Sequence, residues 1–236
     1  MARPLRISVS LAAALVVTTM AWQANAHDFW LERQNGTFLL GYGHHGGESL
    51  PLVADKVRTL SCRKSKGKTE NLRSAAVASA KELRLKASCA ILSAFMDGGY
   101  YSLTPDGEKN LPKNKVPDAV KSWRSKQFAK WVDVHSPLAG LALGDEFEIV
   151  PVTDLAKVKA GDKATFRVLL AGKPLEGAVL AMNHKPLGET DEDGEVRVKI
   201  RSDTVESVSV SFRRSIRSAE ADSEVFEASL TFEVGR

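Results

Sequence analysis

The chain has 236 residues, 43% of them apolar and 26% charged, with 33 basic against 29 acidic side chains and a formal net charge of +4. That is length enough for one or two packed domains, and too apolar a composition for a disordered chain. The basic residues form no concentrated stripe interleaved with aromatics, which excludes nucleic acid as an expected partner.

The first element is Arg3 and Arg6, then the apolar run "ISVSLAAALVVTTMA", then Ala24-Asn25-Ala26. A basic start, a short apolar stretch and a small-x-small end are the three parts of a secretory signal peptide. A membrane-spanning helix needs about 20 apolar residues, so residues 1–26 are expected to be cleaved rather than kept as an anchor. The mature chain would begin at His27 and lose two basic residues and no acidic one, which halves the net charge. No second apolar segment of spanning length follows, and the expected location is the periplasm.

From His27 to about Val150 the patterning is irregular. "GTFLLGYG" and "EFEIVPV" read as strands, and "LRLKASCAILSAF" as one strand with a bulge. "DAVKSWRSKQFAKWV" supports two readings: Val120, Trp123 and Trp131 line a helical face, whereas Phe128, Lys130 and Val132 alternate as in a strand. "GGYYSLTPDGEKNLPKNKVPD", rich in Gly, Pro, Asn and Lys, predicts a long surface loop. The basic window from Cys62 to Cys89 reads as a solvated hairpin face. Those are the two cysteines of the chain. An even, small count in an exported protein predicts a disulfide; a pair of thiolate metal ligands is the alternative.

From about Pro151 onward the alternation is clean. Ala164, Phe166, Val168 and Leu170 fall on one face, as do Val196, Val198 and Ile200; Val208, Val210 and Phe212; and Leu230, Phe232 and Val234. Turn signals separate these runs: "AGKPLEG", "KPLGETDEDGE" and "RSDT". The expected fold is all-β: two immunoglobulin-like antiparallel β-sandwich domains, 27–150 and 151–236, after a signal peptide at 1–26.

No Gly-x-Ser-x-Gly elbow, phosphate loop, His-Glu-x-x-His or Rossmann glycine pattern occurs, so no enzymatic activity is expected. The five histidines carry the chemistry. His27, once terminal, offers a metal both its α-amine and Nδ1 in a six-membered chelate, and the amine titrates near 7.7–8.0 when unperturbed. A further imidazole comes from His44 or His45 in "GYGHHGGES". Neighbours on an extended chain point oppositely, so one of the two is expected to face His27. Glu48 would add an oxygen, or hold an imidazole through its second nitrogen. His135 in "WVDVHSPLAG" completes the candidate ligand set of His27, His44, His45 and His135. His184 in "MNHKPLG" reads as a solvent-exposed turn residue, and Phe29 and Trp30 as strand residues packed beneath the terminus. Nitrogen-rich sites of this kind suit nickel, cobalt or copper.

"AHDFWLE", "GHHGGE", "EFEIVPV", "GKPLEGAVL", "TDEDGE" and the closing "EASLTFEV" follow one another in that order. Together they resemble a domain-of-unknown-function family of exported bacterial proteins described as periplasmic components of cobalt/nickel transport systems. The resemblance covers most of the mature chain. It implies two β-sandwich domains, nickel or cobalt as the bound ion, and an inner-membrane metal importer as partner. His27 stands where the family has its histidine after cleavage, and His44 where it has a Gly-His before Gly-Glu. The extra His45, and the lack of an apolar residue before Gly47, depart from the pattern; His135 has no counterpart in it. Two other readings stay open. One is an oxygen-activating copper enzyme with Trp30, Tyr42, Tyr100 and Tyr101 as a substrate platform. The other is a structural or interaction module without a ligand.

Overall fold

The computed structural model describes residues 27–79 and 81–234; the signal peptide expected at 1–26 lies outside the described residues. In chain order the strands are β1 (Asp28–Gln34), β2 (Thr37–Gly43), β3 (Val57–Arg63), β4 (Thr69–Asn71), β5 (Val77–Ala78), β6 (Glu82–Lys86), β7 (Ile91–Thr104), β8 (Gly107–Lys109) and β9 (Lys121–Val132). They continue as β10 (Phe147–Pro151), β11 (Lys163–Leu170), β12 (Lys173–Pro174), β13 (Val179–Met182), β14 (Lys185–Glu189), β15 (Glu195–Lys199), β16 (Val205–Ser215) and β17 (Ser223–Glu233). Among the described residues the helical turns are short 3-10 segments, so the fold is all-β, as the alternation predicts.

A nine-stranded sheet runs in the order β14-β13-β16-β17-β9-β7-β3-β4, with β8 paired to β7. Its pairings are antiparallel except one: β17 lies parallel to β9, from Ser223 opposite Trp123 to Phe232 opposite Val132. Each face of this sheet is covered over a different part of its width. The sheet β1-β2-β6-β5 packs over β3, β7 and β9, burying Phe29, Leu31, Phe38, Leu60, Leu92 and Trp131. On the opposite face β10, β11, β12 and β15 pack over β13, β16, β17 and β9, burying Phe147, Phe166, Val198, Val208, Phe226 and Leu230.

β9 serves both cores. Ala129 and Trp131 enter the first, Phe128 and Val132 the second, the period-two division a strand imposes. The strand reading of "SKQFAKWV" therefore prevails over the helical one, because a helix could not feed two layers on opposite sides. Strands from before and after residue 150 share the central sheet, and residue 150 itself lies inside β10.

Two expectations need correction. "LRLKASCAILSAF" is two strands, β6 and β7, in different sheets, parted by residues 87–90 around Cys89. The predicted loop from Gly98 begins as strand: β7 continues through Tyr100 and Tyr101 to Thr104 after a register shift at Asp97–Gly99, then turns tightly into β8. Its glycines mark a bulge. Cys62 and Cys89 form a disulfide, which removes the thiolate-ligand alternative.

Candidate functional site

Three of the five histidines, His27, His44 and His184, converge where β1 begins. β2 ends at Gly43, whose φ of +127° and lack of room (a Cβ would stand 2.4 Å from the Glu48 carbonyl oxygen) admit glycine alone. The chain then closes on itself: His44 N–H donates to the Glu48 carbonyl at 2.9 Å, and Gly47 N–H to the His44 carbonyl at 2.8 Å. This small loop holds His44 and His45 with their rings diverging.

The His44 ring lies 5.3 Å from that of His27 and 5.0 Å from that of His184, centroid to centroid. His44 Nδ1 and His184 Nε2 are 3.1 Å apart, and His184 Nε2 is 3.2 Å from Asp28 Oδ2. His45 points the other way, edge-on to Trp30 at 5.5 Å, with Nε2 3.8 Å from Glu32 Oε2. Its backbone N–H leans on Asp28 Oδ2 at 3.4 Å. The expected opposition of the two neighbours is what the loop delivers.

His184 is the member that sequence reasoning left out. It is exposed, as expected, yet it belongs to the cluster. Asn183 and His184, with φ of +47° and +60°, are the two central residues of the β13–β14 hairpin, between paired Met182 and Lys185. Positive φ at both positions is the mark of a two-residue hairpin turn. β13 pairs with β16 in the central sheet, which carries the turn to the start of β1. "MNHK" signalled the hairpin; nothing local signalled where its tip would land.

His135 is elsewhere. It follows β9, its N–H held by Asp133 Oδ1 at 3.1 Å, and shares a surface hollow with Arg33 near the far end of β1. At about 3.4 Å per residue, that end stands roughly 17 Å from Asp28. Phe29 and Trp30 are buried in β1, as expected. Glu48 contributes its carbonyl to the loop.

Electrostatics follow from partial burial. Burial, then the neighbouring His44, hold the His27 imidazole below the usual histidine range, although Asp28 beside it acts in the opposite sense. Tyr42, 5.6 Å from the His27 ring, is pushed up to about 12 by burial, with Tyr101 and Glu227 adding to the effect. Beneath the start of β1, Gln127 Nε2 donates to Glu227 Oε2 and leans on the His27 carbonyl at 3.4 Å. Burial pushes Glu227 up to about 7; the Gln127 bond opposes this and the charge of Asp28 reinforces it. Neither Asp28 nor Glu227 was a candidate from sequence.

A family model described as "Domain of unknown function (DUF4198)" matches residues 24–212. The chain belongs to this DUF4198 family. The matched segment contains His27, Asp28, His44 and His184, while Glu227 lies beyond it. No curated protein and no solved structure matches this DUF4198 chain. Among the described residues, no three His, Cys, Asp or Glu side chains already close on one point as metal ligands do. Their contacts run as a chain, from His27 to His44 to His184 to Asp28.

Proposed function

We propose that this protein is exported, matures to begin at His27, and binds a divalent transition metal at His27, His44 and His184, with Asp28 beside them. The ion we assign is nickel or cobalt, and the role is that of a periplasmic carrier serving a metal importer in the inner membrane. One observation carries the reading: three imidazoles from positions 27, 44 and 184 meet at one end of the molecule.

The donors fit such an ion. Two nitrogens bound at about 2.0–2.1 Å stand about 2.9–3.4 Å apart when they subtend 90–110° at the metal, and the His44–His184 nitrogens are 3.1 Å apart. Proton counting supports a cation as well. His184 Nε2 is approached by both His44 Nδ1 and Asp28 Oδ2, yet a ring nitrogen holds one N–H or one lone pair. In either tautomer one contact sets lone pair against lone pair, or shares one proton between two acceptors. A cation between the two imidazole nitrogens, with Asp28 beside it, would remove that conflict. Imidazole nitrogen suits nickel, cobalt and copper, and a metal there would act as cargo held by these residues. The Cys62–Cys89 disulfide suits an oxidising compartment. Cleavage before His27 would add the α-amine as a further nitrogen.

The test is native mass spectrometry and calorimetric titration of protein starting at His27, with nickel, cobalt and copper in turn. One bound ion is expected, and the tightest binder names the cargo. His44→Ala and His184→Ala should each weaken binding by about tenfold or more, and His135→Ala should leave it unchanged. A site filled at 100 times its Kd adds about 2.7 kcal/mol of stability. No bound ion, and no rise in Tm with any of the three, would overturn the proposal.

A further inference from the structure

A cleft of about 220 Å³ opens directly beside the histidine cluster. His27, Asp28 and His184 form its near wall and Glu227 lies at its margin. Its floor is the central sheet where the β1 layer stops covering it. Alternation along β16 sends Val208 and Val210 into the core and turns Ser209 and Ser211 outward. Small side chains on the outward face leave the space unfilled. Val179 and Ala181 of β13 supply an apolar side to it.

Three features say what would fit. The three imidazoles and the α-amine of a chain beginning at His27 make four donors, which leave two positions open on a six-coordinate ion, and the cleft begins where they end. It is smaller than the roughly 300–1,000 Å³ of sites for drug-sized molecules, which suits a compound of amino-acid size. Its acidic residues are Asp28 and Glu227, and among the described residues neither lysine nor arginine lines it. Among the described residues Glu227 receives its hydrogen bond from Gln127 through Oε2, leaving Oε1 without a protein donor. An anionic metal chelate would be repelled by the acidic wall at Asp28. A divalent ion carrying one aminocarboxylate has a net charge of +1, keeps N–H donors, and would not be.

We propose that the cleft beside His27 and His184 binds a small chelator, an α-amino acid, which gives up its ammonium proton to solvent, enters as an aminocarboxylate with the metal and completes its coordination. The chelating atoms of this co-ligand go to the metal, and its remaining donors to Glu227 and the β16 serines. The inference rests on the metal-binding reading above and adds the form in which the ion is carried.

The experiment is native mass spectrometry of the chain beginning at His27, with equimolar nickel, in the presence of L-histidine, glycine or citrate. Protein carrying nickel plus one amino acid is expected to dominate with L-histidine or glycine and to be absent with citrate. Glu227→Gln and the cleft-filling Ser211→Trp, each still folded by circular dichroism, should lower the ratio of amino-acid-bearing to metal-only species at least tenfold. Nickel bound alone, whatever chelator is present, overturns this proposal and leaves the metal site standing. Citrate retained as well as the amino acids overturns the charge argument and the proposal with it. Absence of nickel from every spectrum removes both readings.

Discussion

His184 occupies a backbone conformation, φ +60°, that disfavours residues bearing a Cβ. Glycine would adopt it freely. His184→Gly is therefore expected to raise stability by about 1 kcal/mol while weakening metal binding at least tenfold, measured by thermal melts and titration of one preparation. A gain in stability with unchanged binding would show that the imidazole is idle there. Glu227 gives a second test at this scale. Its folded carboxyl titrates at about 7 against an ordinary value of 4.5, so between those limits the folded state holds the extra proton. Stability contributed by that proton is present below about pH 4.5 and lost as the pH rises to 7, by up to about 3 kcal/mol. Glu227→Gln should flatten the slope of stability against pH over that interval in the metal-free protein, and an unchanged slope would reject the assignment.

Strands were legible wherever one face is buried and the other is wet. β11, β15, β16 and β17 show this, with Ala164, Phe166, Val198 and Val210 inward. Legibility failed where a strand is buried on both faces. β9 carries Lys126 and Lys130 inside the protein, Lys130 bonded to Glu148 and to the Ile149 carbonyl, so charge no longer marked the exposed side. It failed again at Cys89, where a four-residue link between sheets passes for a bulge. The site was half legible for a related reason. His27 and His44 lie near each other in sequence, and β1 pairs antiparallel with β2, Asp28 opposite Gly43. His184 arrives through β13, β16 and β17, a route that no local pattern records. The disulfide ties β3 to the link before β7, at a sequence separation of 27. Loop-closure entropy puts its contribution at roughly 3 kcal/mol. Reduction should lower the denaturation midpoint correspondingly, and Cys62→Ala/Cys89→Ala should reproduce the loss.

At the scale of the molecule, the parallel seam between β9 and β17 makes one sheet from strands on both sides of residue 150. The buried Lys130–Glu148 pair adds a second tie, from that sheet to β10, with Glu148 also accepting the Leu143 and Gly144 N–H groups at 3.1 and 3.0 Å. Halves joined this way are expected to melt together. Scanning calorimetry should give one transition whose calorimetric and van't Hoff enthalpies agree, and two resolved transitions would contradict it. The seam also sets an order of events in the life of a new chain. β17 lies mid-sheet between β16 and β9, so no earlier stretch can complete the sheet in its place. A polypeptide emerging from the ribosome therefore keeps that gap in its central sheet open until residue 233 has been made.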